Sequence, residues 1–286
     1  MEYCKCHVRE KRYQSQYILL WLTEKLKKLK LQLIKYTTRG PKMVTVLTAH
    51  QPLYLPWLGF FHKVTMSDKF CLWEDVQFDP KDFINRNRIK NPNGWAWMTV
   101  PILAKGYREK TIMDMYIDNS QNWRHDHWNS ILVSYGKKAP YFESYRDFFE
   151  KTYKKNWDKL VDLDEHFLKY LLKELGISVE FLKASEQKFE GKKSDRVLDM
   201  CVKLGADVYI FGELGKDYAD VKDFEKKGVK VYFQKYNHPV YPQLYGEFVS
   251  HLSIIDLLFC FGEKSYEILM NDNLTKKDLI KMLDLK

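Results

Sequence analysis

Long apolar runs are missing from this 286-residue chain. Nothing approaches the ~18 consecutive apolar residues of a spanning helix, so no transmembrane segment is expected. Cysteine is scarce and odd in number, at five (Cys4, Cys6, Cys71, Cys201, Cys260). A secretory leader is lacking too, because the apolar stretch from Tyr17 to Leu22 is short and runs into lysines. These absences exclude a disulfide framework and fit a reducing, cytoplasmic compartment, with Cys71, Cys201 and Cys260 as small core residues. Cys4-Lys5-Cys6-His7 begins like a zinc site, but no second cysteine pair follows at the required spacing, and no metal is expected. Internal repeats and low-complexity segments are also absent.

The net charge of +9 is unevenly spread. Residues 1–42 hold 11 basic and 3 acidic residues, leaving 36 basic and 35 acidic from Met43 onward. The body is near neutral, so a nucleic-acid partner is not expected. In the basic leader, Ile18, Leu19, Leu22, Leu26, Leu29, Leu33 and Ile34 follow helical spacing with lysines between them. Such a helix suits an anionic membrane surface. The simpler expectation is an extension upstream of a true start at Met43, separated from it by the helix-breaking Gly40-Pro41.

From Met43 the periodicity predicts strands at 44–49, 69–77, 179–182, 207–211 and 229–233. It predicts helices at 56–67, 121–135, 140–156, 160–175, 192–204, 219–227, 253–261, 263–270 and 275–284. Residues 83–90 and 95–100 flank Asn91-Pro92-Asn93-Gly94 as a hairpin. Strands alternating with helices imply an α/β fold, a mostly parallel Rossmann-like sheet flanked by helices, with a helical insertion in the middle.

Several segments carry chemistry. The first strand ends in His50-Gln51, bends at Pro52 and Pro56, and passes at Trp57 into a helix, where open α/β sheets place ligands. In the hairpin, alternation puts Arg86, Arg88 and Lys90 on one face, a cradle for phosphate or carboxylate or else a solvated edge. Asn85 and Asn87 share the other face with Ile89. On the helix after Asn122, Trp123 opens a face of Arg124, His127, Trp128 and Ile131, suited to a sugar or nucleotide or to plain packing. Phe211-Gly212-Glu213-Leu214-Gly215-Lys216 follows a strand but lacks the GxxxxGK[ST] spacing of a phosphate loop. Tyr236-Asn237-His238-Pro239-Val240-Tyr241-Pro242-Gln243 echoes the His50 turn. Ser253 and Asp256 fit an S-x-x-D cap ahead of an apolar helix.

Taken together, His50-Gln51-Pro52, Leu55-Pro56-Trp57-Leu58-Gly59-Phe60-Phe61, Asp75-Val76-Gln77, Asn85-Arg86-Asn87-x-Ile89-Lys90, Thr99-Val100-Pro101, Asn122-Trp123-Arg124 with His127-Trp128, Lys138-Ala139-Pro140-Tyr141-Phe142 and Leu252-Ser253-Ile254-Ile255-Asp256 resemble the WbqC-like protein family. The likeness spans residues 43 to about 262. It implies a place in bacterial O-antigen, lipopolysaccharide and surface-polysaccharide synthesis, where the family is associated with sugar modification. Trp57-Leu58-Gly59-Phe60 also resembles in position the HxGH signature of nucleotidylyltransferases and pantothenate synthetases. Both signature histidines are replaced, which argues against ordinary adenylyl transfer.

The expectation is an enzyme, a transferase or ligase, that modifies an amino sugar or sugar nucleotide by acyl or aminoacyl transfer or amide formation. His50 or His127 would serve as base, with Asn85, Asn87 and Gln51 as oxyanion donors. Arg86, Arg88, Lys90, Arg124, Trp57, Trp123, His238 and Gln243 would bind a small anionic substrate, with no cofactor specified. The alternative is a non-catalytic carbohydrate- or nucleotide-binding protein that uses its tryptophans as stacking surfaces. An enzyme should gather His50, the Asn-Arg-Asn strand and Arg124-His127 in one pocket; a binding module should leave aromatics on an open face.

Overall fold

A computed structural model describes residues 43–103 and 105–285, together with Lys25 and Lys27. Apart from those two lysines, the basic amphipathic helix and the Cys4-Lys5-Cys6-His7 motif lie outside the described residues. Residues Val44–Leu285 form one compact unit.

Five short strands make the central sheet: β1 (Val46–His50), β2 (Lys69–Leu72), β5 (Glu180–Lys183), β6 (Val208–Phe211) and β7 (Lys230–Phe233). They are parallel and ordered β5-β2-β1-β6-β7. Numbered by appearance within the sheet, that order is 3-2-1-4-5, the doubly wound arrangement whose direction reverses beside the first strand. At the sheet's lower edge the carboxylates of Asp207 and Asp68 accept the amides of Thr45 and Val46 at 2.9 and 2.8 Å. These amides precede the ladder and need a partner once buried.

Helices cover both faces because β1 is buried on both. Leu47 and Ala49 join Cys71, Val197, Cys201, Tyr209 and Phe224 in the core under α5 (Ser194–Leu204) and α6 (Val221–Lys226). On the other face, α1 (Leu58–Thr65) lays Phe60, Phe61 and Val64 against Phe70 and Leu72. Each such buried aromatic contributes about 2–3 kcal/mol of apolar transfer.

Between β2 and β5 the chain inserts the hairpin β3 (Arg86–Asn91) and β4 (Gly94–Thr99). The helices α2 (Trp123–Tyr135), α3 (Phe142–Lys154) and α4 (Leu160–Glu174) follow. The hairpin register pairs Arg88 with Trp97 and Lys90 with Trp95. Gly94 closes the turn at φ +113°, a conformation that disfavours any side chain. α7 (Ile254–Phe261), α8 (Ser265–Met270) and α9 (Lys276–Met282) complete the chain.

Two local expectations are corrected. The strand expected at 69–77 leaves the sheet after Leu72, where Trp73 N–H donates to the last β1 carbonyl, His50, at 2.8 Å. Beyond it the chain pairs instead with residues 110–113, through Lys110 O, Ile112 N and Met113 N. Ser253 does cap α7, accepting Ile255 N–H at 3.4 Å, but Asp256 is not part of a capping box. Its fully buried carboxylate accepts the hydroxyls of Tyr135 and Tyr241 at 2.9 and 3.0 Å. A carboxylate without water takes the strongest donors in reach, and two tyrosines supply them.

Candidate functional site

The strand order reverses between β1 and β6, and the carboxyl ends of these strands meet α1 there. His50 ends β1, half-buried, with its ring edge-on to Phe60 at 5.2 Å. Its Nδ1–H donates to the carbonyl of Gln51 at 2.9 Å, which leaves Nε2 with a free lone pair. Burial, then the nearby Lys63 cation, push the imidazole pKa down to about 3, so the ring is neutral at any ordinary pH.

Lys63 was not singled out from the sequence. Its side chain is 3% exposed, and its ammonium donates to the carbonyl of Ala49 at 3.1 Å. No carboxylate pairs with it among the described residues. Burial therefore lowers its pKa to about 7. The available signal was its place in Phe60-Phe61-His62-Lys63-Val64, where a lysine falls among the apolar positions of the helix.

At the start of α1, Trp57 folds back over Gly59. A Cβ there would lie 2.2 Å from the indole, so only glycine fits. The indole stacks on His251 at 5.0 Å and on His238 at 6.4 Å, with Tyr236 edge-on at 5.6 Å. His238 is held in one orientation: its Nδ1–H donates to Pro239 O at 2.9 Å, and its Nε2 accepts His251 N–H at 3.1 Å. Burial lowers the pKa of both histidines.

His251 links this cluster to the hairpin, because its carbonyl accepts the Arg88 guanidinium at 3.3 Å. Arg88 lies over Trp95 and Trp97 at 5.1 and 5.8 Å, and Arg86 over Trp97 at 4.9 Å. Trp95 and Trp97 are 42% and 44% exposed, an open ladder of alternating indoles and guanidiniums. Neither arginine forms an ion pair among the described residues. Lys90 shares the strand face but is buried, its ammonium on the carbonyl of Glu247.

The remaining predicted residues act elsewhere. Asn85 donates to Val100 O at 2.8 Å and Asn87 to Leu55 O at 2.6 Å. Leu55 sits at φ +47°, so Asn87 clamps a strained residue of the Gln51–Pro56 turn. His127 is buried inside the insertion, its Nδ1 accepting Tyr54 O–H at 2.9 Å. A second bond to the Thr99 backbone engages the other nitrogen, yet burial still brings its pKa down to about 4. Trp123 packs edge-on against that imidazole at 5.4 Å. Arg124 donates to Lys155 O and Asn156 at the end of α3. Gln243 staples its loop, donating to Val249 O at 2.9 Å and accepting Val249 N–H at 2.8 Å.

The expected meeting of His50, the Asn-Arg-Asn strand and Arg124-His127 in one pocket is therefore not what these contacts form. Asn87 and His127 instead grip the turn between His50 and Trp57, at Leu55 and Tyr54. Two shallow depressions, ≈ 390 Å³ at Phe261, Lys264, Glu267, Ile268 and Asn271 and ≈ 520 Å³ at residues 216–222, contain none of the predicted residues. No helix among the described residues is long and apolar enough to cross a membrane.

Fold and site together define a doubly wound α/β protein with polar groups at the carboxyl edge of its sheet. The chain belongs to the WbqC-like protein family, whose model matches residues 51–268. Uncharacterized protein Rv1507c of Mycobacterium tuberculosis is 30% identical over 221 residues, covering 77% of this chain and 95% of that protein. No solved structure gives a significant match.

Proposed function

We propose that this chain is a cytoplasmic transferase or ligase that acylates an amino sugar or sugar nucleotide, forming an amide, in surface-polysaccharide synthesis. The observation that carries the reading is the lone pair of His50 Nε2, held ready by the Gln51 contact at the end of β1, where the strand order reverses. The substrate amine attacks the carbonyl carbon of an activated acyl donor, a thioester or acyl phosphate. The leaving group departs with its electron pair, and His50 Nε2 takes the amine proton. Burial first, and the Lys63 charge second, hold the His50 pKa near 3 and make it a weak base. Loss of the Lys63 proton, at about pH 7, removes the smaller, coulombic part of that depression and leaves the part due to burial.

The test mixes the protein with a panel of nucleotide amino sugars and acyl donors and follows acyl mass gain by mass spectrometry. Turnover should rise modestly with pH through about 7, as Lys63 loses its proton and its repulsion of a protonated His50. Lys63→Met should flatten that rise and His50→Gln should abolish turnover. Mass gain unchanged in His50→Gln refutes the mechanism. A second reading is favoured by the exposed indoles at 42% and 44%: a non-catalytic protein that binds anionic glycans on the hairpin. Saturable sugar binding without any mass gain would select it.

A further inference from the structure

At the end of β2, on the face of the sheet covered by α5, three polar atoms are buried without a hydrogen-bond partner: Trp73 Nε1, Asp75 Oδ1 and Arg196 Nε. They belong to one cluster. Arg196, in the first turn of α5, pairs with the other oxygen of Asp75, and its guanidinium lies 5.7 Å from the Trp73 ring centre. The side chains of Arg196 and Asp75 are 17% and 20% exposed. An orphaned buried polar group is destabilising, and native proteins keep few of them.

The surrounding backbone is fixed. Trp73 N–H is bonded to His50 O, and Glu74 and Val76 accept amides from Met113 and Ile112 at 3.0 and 2.9 Å. The buried Glu74 carboxylate accepts Ala184 N–H at 3.2 Å and Ser185 Oγ–H at 2.5 Å, which ties the end of β5 to the same edge. The start of α5 is held by Ser194 Oγ, which accepts Asp220 N–H at 2.9 Å. Only side chains, above all the long Arg196, are left to adjust.

We propose that Trp73, Asp75 and Arg196 form a binding site for two adjacent hydroxyls of a sugar ring. The pairing with Asp75 neutralises Arg196, so the cluster offers no net charge to an anion. What it offers is one acceptor and two N–H donors at the carboxyl edge of the sheet, on the α5 face. A hydroxyl is donor and acceptor at once. One hydroxyl donates to Asp75 Oδ1, and the pair accepts from Arg196 Nε and Trp73 Nε1. Arg196 swings off the indole to admit the ring, and the three orphaned atoms gain their partners. Such hydroxyls belong either to the ribose of a nucleotide or to a pyranose. This site deepens the reading above and rests on it, since it takes the carboxyl edge of the sheet, where β1 ends in His50, as the place of the substrate.

The test measures binding, not turnover, so its outcome is separate from that of acyl transfer. One arm compares UDP with 2′,3′-dideoxy-UDP, and the other compares methyl N-acetylglucosaminide with its 3-deoxy analogue, each by saturation-transfer NMR and titration. In one arm the wild-type protein should prefer the hydroxylated probe about tenfold, and that arm identifies the source. Trp73→Phe, which keeps an aromatic ring and deletes the N–H, should reduce the preference at least threefold with an unchanged melting curve. Asp75→Asn should reduce it further. Equal preference in wild type and Trp73→Phe overturns the site, as does the absence of saturable binding in both arms. Diol preference without acyl transfer would leave the site standing and refute only the transfer reading.

Discussion

Replacing Lys63 by methionine should stabilise the protein, by an amount that depends on pH. In the folded chain the Lys63 pKa falls from 10.5 to about 7, a difference of 10.5 − 7 = 3.5. At about 1.36 kcal/mol per pK unit, a charged Lys63 costs the fold about 5 kcal/mol at or below pH 7. Losing the bond to Ala49 O gives back roughly 1–3 kcal/mol of that gain, because a buried carbonyl is left unpaired. The net expectation at pH 7 is a gain of about 2–4 kcal/mol. Between pH 7 and 10.5 the unfolded chain carries a proton at residue 63 that the folded chain has lost, so wild-type stability rises with pH. The advantage of the variant should therefore shrink by about 2 kcal/mol from pH 7 to pH 8.5. Urea denaturation of both proteins at the two pH values reads this directly. The buried cysteines Cys71 and Cys260, whose pKa rises to about 12, affect both proteins equally and cancel. A variant less stable than wild type at pH 7, or an advantage that does not change with pH, would show that the Lys63 charge is compensated.

Gly59→Ala should be severely disruptive, costing about 3 kcal/mol or more, since its Cβ would meet the Trp57 indole at 2.2 Å; a loss below 1 kcal/mol on denaturation would show the indole free to move away. Asn87→Ala should cost about 1–3 kcal/mol through the unpaired Leu55 carbonyl, and a neutral result would remove the clamp from the account of the turn. A chain beginning at Met43 should melt at the same temperature as the full chain, and a large fall would mean that the basic leader packs on the domain.

Much of the fold was legible because it rests on local periodicity. The strands around Val46, Val208 and Lys230 and the helices around Trp123, Leu160 and Ser194 fall where the apolar spacing predicts, within a few residues. The alternation that puts Arg86, Arg88 and Lys90 on one hairpin face also holds, because strand period is a property of the backbone. The candidate site was legible only in part. Side-chain type advertised His50, His127, Asn85 and Asn87 alike as chemistry, yet type does not reveal partners. His127 meets Tyr54, 73 residues away, and Asn87 meets Leu55, 32 away, and those contacts arise only when the insertion folds over the turn.

By itself, then, the sequence determined the order of elements, the doubly wound class and the family, since hydrophobic period and motif identity are written along the chain. Tertiary structure alone decided which polar groups stay free. It buried Lys63 beneath β1, exposed Trp95 and Trp97 between arginines, and brought Trp73 to Arg196 and Asp75 to Arg196 across 121 residues in the second case. Burial and pairing are properties of neighbours in space. A lysine is an ordinary cation in the sequence and becomes a titrating group near neutrality only once the core closes around it.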